Sequence, residues 1–208
     1  MSTRGYYEAL WRSLPEGLEP ADRVRREVFL REHVSAGERL LDVGCGEGVF
    51  ATALRSHGAR VVGIDVAEEP LRRARVRDPE LELRLVDGEG PWPLEDVSFD
   101  AVWAGEVIEH VADTATWLSE VRRVLRSGGQ LLLSTPDNGP FNLIGVALSK
   151  RAYGERFDPQ GDHLRFYNRA TLSLLLESFG FESVEIQSYG GLPGARRVLL
   201  VRAVRSRF

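Results

Sequence analysis

An apolar run that meets an acid and then breaks into three alternating glycines constrains this chain more than any other feature. The stretch is RLLDVGCGEGVF, residues 39–50, with Asp42 followed by Gly44, Gly46 and Gly48. The run reads as a buried strand, and the glycines read as a tight turn that opens a helix. Glycine suits such a turn because it tolerates φ > 0 and lets main-chain N–H groups come close to a ligand. A helix N-terminus adds unpaired donors and the positive end of a dipole. The next apolar run, VVGID, ends in Asp65, a carboxylate placed to accept hydrogen bonds from ribose hydroxyls. Together these residues describe a site for a nucleoside-containing cofactor.

The glycine spacing narrows the choice. Dinucleotide sites require G-x-G-x-x-G, with the third glycine where helix and strand pack closely. Here that position is Val49, and the glycine stands one residue earlier, at Gly48. Asp42 would also set a carboxylate beside a pyrophosphate, an unfavourable pairing; it fits an ammonium or sulfonium better. A nicotinamide-dependent oxidoreductase is therefore the weaker reading.

The rest of the chain alternates between strand-like and helix-like segments, which predicts a parallel sheet with helices on both faces. Strands are expected near 39–43, 60–65, 81–86, 99–104 and 129–135, and helices over 47–57, 67–77 and 113–126. In the last helix Asp113 is a candidate N-cap and Gly128 a stop, with Trp117, Leu118, Val121, Val124 and Leu125 as an apolar stripe. Residues 168–180 repeat this pattern, opening at Asn168 or Thr171. FESVEIQSYG and RRVLLVRAV then read as two strands joined by a Gly/Pro loop at 190–194. With no helix between them, a hairpin is expected.

Two segments fall outside the alternation. Residues 1–34 look helical, carry the aromatics Tyr6, Tyr7 and Trp11, and are read as an N-terminal cap on a single domain spanning 1–208. Residues 136–167 form a long connection leaving the carboxyl end of a strand, where ligands bind in open α/β sheets, and are read as a lid. Phe141, Leu143, Ile144, Val146 and Leu148 make its first half apolar. They suit an aromatic or lipid-like ligand, and equally packing onto the core or onto a second subunit.

The net charge of −4 gives no general attraction to nucleic acid or acidic membranes. No apolar stretch approaches the ~20 residues of a membrane span. The start, MSTRGYYEAL, lacks a signal peptide's apolar core. The single cysteine, Cys45, excludes an internal disulfide and fits a reducing cytoplasm.

The ordered set of the glycine turn, SFDAVWAGEVIEHVAD (98–113), EVRRVLRSGGQLLLSTPDN (120–138), GDHLRFYN and LLLESFGFESVEI resembles class I S-adenosylmethionine-dependent methyltransferases. The likeness is to the small-molecule branch that includes ubiquinone-biosynthesis O-methyltransferases, and spans roughly residues 36–190. It implies a Rossmann-like, doubly wound, seven-stranded sheet, mostly parallel, with an antiparallel C-terminal hairpin strand. It also implies that Asp42, Gly44, Gly46 and Gly48 surround the methionine part of the cofactor and that Asp65 holds the ribose, with Val66 beside the adenine. Asp87 and Gly88 would contact the adenine amino group, and Glu106 would lie near the sulfonium and the substrate mouth.

Methyl transfer is an in-line displacement, and a base matters only where the nucleophile must lose a proton. His110 and His163 are the candidates, because both lie on segments leaving the strands' carboxyl ends. His57, at the end of the first helix after the glycine turn, reads as a surface residue or its C-cap. Glu106, Glu109 and His110 form E-x-x-E-H, with Glu106 and His110 on one face if the segment is helical. Some ubiquinone-type relatives bind a divalent ion at a similar cluster; here capping the following turn and lining the cleft is the stronger reading, and no metal is assigned.

The expected acceptor is a small molecule methylated at oxygen or nitrogen. The arginines at 72–77 (RRARVR) and 196–207 are the basis for an RNA or protein acceptor instead, although such runs are usually solvated faces. A non-catalytic cofactor-binding protein is the remaining alternative.

Overall fold

The computed structural model describes residues 2–158, 161–191 and 197–207. Its centre is a seven-stranded sheet in the order β3-β2-β1-β4-β5-β7-β6. The strands are β1 (Arg39–Val43), β2 (Arg60–Asp65), β3 (Glu82–Leu85), β4 (Phe99–Gly105), β5 (Leu125–Pro136), β6 (Phe181–Tyr189) and β7 (Val198–Arg205). β1 pairs in parallel with β2 and β4, while β7 runs antiparallel to both β5 and β6. This is the α/β sheet and terminal hairpin expected from the sequence. Residues 192–194 of the hairpin's Gly/Pro loop lie outside the described residues.

The helices are α1 (Thr3–Ser13), α2 (Arg23–His33), α3 (Val49–Ser56), α4 (Glu68–Arg77), α5 (Thr114–Val124), α6 (Pro140–Ala147), α7 (Lys150–Arg156) and α8 (Arg169–Ser178). Alternate residues of the central strands feed two cores. Leu40, Ala101, Trp103 and Leu132 pack with Phe29 and Leu30 of α2 and Phe50 and Leu54 of α3. Leu41, Val102 and Leu133 pack on the other face with Trp117, Leu118 and Val121 of α5 and Leu172 and Leu176 of α8. Burial on both faces explains why these strands read as continuous apolar runs. Among the described residues, no helix is long and apolar enough to cross a membrane.

Local signals place most helix ends. Asp113 accepts from the Thr116 amide (3.0 Å), and Asn168 and Thr171 form a reciprocal capping box at α8. His57 is the C-cap of α3. Two expectations shift. α3 starts at Val49 rather than residue 47, because Gly48 has φ +71°, outside the helical region. α5 ends at Val124, because the amides of Val97 and Ser98 take the carbonyls of Arg123 and Val124 (both 2.9 Å) and draw Leu125 into β5.

Gly48 also answers the question raised by its spacing. A Cβ there would meet Leu81 Cδ1 at 3.1 Å and Ala74 Cβ at 3.2 Å, so the turn packs against α4 and the entrance to β3. Gly48→Ala combines a left-handed backbone with this crowding. It is expected to destabilise the fold by about 1–3 kcal/mol, seen as a lower urea midpoint at unchanged m-value.

Candidate functional site

A cavity of about 440 Å³ opens at the carboxyl ends of β1, β2 and β4. This is the topological switch point of the sheet, where β1 lies between β2 and β4. Its floor is the glycine turn, its sides are the segments after β2 and β4, and α1 lies across it. Of the residues singled out in the sequence, Asp42, Gly44, Gly46, Asp65, Val66, Gly88, Glu106 and His110 all line this space.

The turn is held by Asp65. Its Oδ2 accepts the Gly46 N–H and its Oδ1 the Ala67 N–H, both at 3.0 Å. Each oxygen keeps a lone pair for a further donor such as a ribose hydroxyl. Burial pushes the Asp65 carboxyl up to about 6, against the pull of these amides. Asp42 is more isolated: it is 2% exposed, and its Oδ2 is buried without a hydrogen-bond partner. Burial, then the neighbouring Asp65 charge, raises it to about 8. A buried carboxyl with one oxygen left unpartnered on the wall of a cavity is a ready counter-charge for a cationic ligand.

Glu106 corrects one expectation. It has φ +56°, and only Ile108–His110 forms a short 3₁₀ turn, so Glu106 and His110 do not share a helical face. Its amide donates to Ser134 O (2.9 Å), which prolongs the strand pairing and turns the backbone out of helix. Its carboxylate lies 3.0 Å from the Arg26 guanidinium and accepts from Ser134 Oγ (2.8 Å). Glu109 points inward instead, accepting from Thr135 Oγ1 (2.9 Å), and burial followed by the Glu106 charge pushes it up to about 8.

His110 Nδ1 stands 2.9 Å from the backbone oxygen of Asp162, and the Asp162 carboxylate is 3.4 Å away. With Nδ1–H donating, Nε2 carries the lone pair and can take a proton. His163 packs edge-on at 4.8 Å between centroids and does not line the cavity; burial and the neighbouring His110 lower its pKa. Glu109, His110 and His163 offer one ligand atom each within 4.8 Å of one another. A divalent cation could be held there, in a trio that differs from the Glu106-containing one suggested by the sequence.

Asp87 and Gly48 do not line the cavity either. Asp87 is exposed and pairs with Arg4, leaving Val86, Gly88 and Glu89 to form that wall. Phe141, Leu143, Ile144 and Leu148 are exposed on α6 and just beyond it, and none lines the cavity; among the described residues of 136–167 only Asp162 does. Apolar lining comes instead from Tyr7, Leu10, Trp11, Leu14 and Leu18, with Phe50 and Trp103 from the core. The arginines of RRARVR are engaged: Arg72 with Glu69 and Glu16, Arg73 and Arg77 with Glu47, Arg75 with Glu68. The sequence reading missed Arg26, Glu47 and Arg73. Arg73 lay hidden in a run that resembles a solvated face, and the other two have partners far along the chain.

Comparison with known proteins agrees with this geometry. Residues 41–133 match the methyltransferase domain family. The chain is 37% identical over 160 residues to a probable S-adenosylmethionine-dependent methyltransferase of Mycolicibacterium smegmatis, covering 76% of this chain and 58% of that protein. It is 33% identical over 178 residues to a ubiquinone biosynthesis O-methyltransferase of Nitrosococcus oceani, covering 80% and 72%. A solved S-adenosylmethionine dependent methyltransferase from Mesorhizobium loti shares the fold with a TM-score of 0.70 at 24% identity, covering 89% of this chain and 98% of that one. The chain belongs to the S-adenosylmethionine-dependent methyltransferase family. It spans 58% of the Mycolicibacterium protein and 61% of a Stutzerimonas stutzeri ubiquinone biosynthesis O-methyltransferase, less than two thirds of either.

The buried carboxyls set a pH dependence. Asp42 holds its proton up to about pH 8 when folded, against an ordinary value of 3.8. Between these values the folded state binds more protons than the unfolded one, so stability falls as pH rises. Asp42→Asn is expected to make the fall in stability between pH 4 and 8 shallower, leaving the slope that Asp65 and Glu109 contribute. Urea unfolding across that range measures it.

Proposed function

We propose that this chain transfers a methyl group from S-adenosylmethionine to an oxygen or nitrogen of a small-molecule acceptor. The carrying observation is the buried Asp42 oxygen left without a partner on the wall of a cavity that also presents Asp65. The residues fit the cofactor's chemistry. Asp65 has acceptor capacity for the ribose diol, and Asp42 suits the amino group of the methionine part. Gly44 and Gly46, both left-handed, let the main chain approach, while Val66 and Val86 with Gly88 offer a flat, apolar wall to the adenine. When bound, the cofactor supplies a sulfonium-activated methyl group open to in-line attack.

The chain's contribution is placement and proton management. Trp103 and Phe50 with the α1 face exclude water and hold an apolar acceptor body. Glu106, tied to Arg26, sits at the mouth with its charge already balanced. His110, oriented through Nδ1 by Asp162, accepts the acceptor's proton at Nε2, and His163 keeps that ring in place from one side. The ubiquinone-type relatives support an oxygen acceptor. The single, buried Cys45 supports a reducing, cytoplasmic setting. Residues 1–34 as cap and 136–167 as lid belong to the same reading, with the cap as the principal covering element.

Transfer of labelled methyl to a panel of phenols, carboxylic acids and amines tests the proposal. Turnover by the intact chain, with kcat lowered about 10²–10⁴-fold in His110→Ala and little change in cofactor KM, is the expected result. Full activity in that variant would make His110 structural.

A further inference from the structure

Helix α1 carries an apolar face that the core does not cover. Tyr7, Leu10, Trp11 and Leu14 follow the i, i+3, i+4, i+7 spacing of one helical face, and all four line the cavity. None of the residues of α1 is buried. An amphipathic helix ordinarily packs such a stripe against the protein. This one faces the space assigned to a ligand.

What holds α1 in place is polar. Arg4 near its start donates to Val86 O (3.3 Å) and pairs with Asp87. Glu8 in its middle accepts the amides of Glu68 (2.9 Å) and Glu69 (3.1 Å), capping α4. The firmest attachment is at its far end. Arg73 donates to the carbonyls of Trp11 (2.6 Å), Leu14 (3.1 Å) and Pro15 (3.3 Å), in the last turn of the helix and just beyond its end. The same guanidinium lies 2.9 Å from Glu47, whose other oxygen accepts the Gly17 N–H (2.9 Å). Glu47 belongs to the glycine turn, and both Arg73 and Glu47 are buried. Trp11 then lies so close to Gly46 that a Cβ there would meet its ring at 3.0 Å.

We propose that Arg73 and Glu47 are positioning residues that fasten α1 as a removable roof over the cofactor chamber. This rests on the reading that the cavity holds S-adenosylmethionine. A segment with few buried apolar contacts, held through hydrogen bonds, opens at lower cost than the core. A ligand that fills the cavity gives Tyr7, Leu10, Trp11 and Leu14 their missing contacts, so it favours the closed position. Release of the spent cofactor then requires α1 to lift, and the Arg73–Glu47 pair sets how readily it does so. The roof is tied to the floor through Glu47, so the turn that meets the cofactor and the helix that covers it move as linked parts.

The test combines amide hydrogen exchange and ligand dissociation on the full chain, with S-adenosylhomocysteine as the probe. The probe is expected to slow exchange over residues 3–13 at least tenfold while leaving the amides of β5 unchanged. Arg73→Ala should speed its dissociation at least tenfold and raise cofactor KM by more than it changes kcat, and Arg73→Lys should recover part of both. Glu8→Ala, at an accessible contact, should shift dissociation in the same direction and keeps the test open if Arg73→Ala does not fold. Binding of the probe with unchanged exchange over 3–13 and unchanged dissociation in the variants would make α1 a fixed wall and overturn the roof. Failure of the probe to bind the folded wild type would overturn the cofactor reading, and the roof with it.

Discussion

The carboxylate of Asp65, gripping the amides of Gly46 and Ala67, is the interaction on which the site depends. It joins the turn after β1 to the turn after β2, so two adjacent parallel strands deliver their ends as one rigid surface. The left-handed glycines make that grip possible, since Gly46 adopts φ +53° to present its amide. From this anchor the rest of the cavity follows. Gly48 seats the turn on α4, Glu47 reaches from the turn to α1, and the end of β4 carries Glu106 and the histidine-bearing turn alongside.

The second theme is acid buried without full compensation. Asp42, Asp65 and Glu109 are each raised in pKa chiefly by burial, and each lies in or beside the cavity. Glu106, in contrast, has Arg26 as its counter-charge. Such a distribution stores an unmet preference for positive charge on one side of the site while neutralising the other. Perturbed carboxyls clustered in a cleft mark functional sites more often than structural ones. They also tie ligand binding to proton movement, because a cation near Asp42 favours its ionised form.

Local chemistry was legible in the sequence and long-range pairing was not. The glycine turn, the acid ending β2, the capping residues Asp113 and Asn168, and the hairpin of β6 and β7 all announce themselves within a few residues. The side-chain periods of strand and helix did the rest. What escaped was set by residues distant in the chain. Arg26 meets Glu106, and Arg73 meets Glu47; neither pair has a local signature. Asp87 satisfied the family pattern by position, yet Arg4 from the N-terminal helix holds it in solvent. The E-x-x-E-H spacing suggested a helical face, but strand pairing through Ser134 fixed Glu106 in a left-handed backbone instead. Likewise the apolar residues 141–148 suited a ligand wall as well as a packing face, and in the structure α1 and its aromatics line the cavity instead.

Calorimetric titration with S-adenosylmethionine, S-adenosylhomocysteine and NAD, in buffers of different ionisation heat near pH 7, tests the central claim most directly. The account predicts micromolar binding of the first two, none of NAD, and net proton release on binding that Asp42→Asn reduces. Binding of NAD in preference to either, or no binding of any of the three by the folded protein, would contradict it.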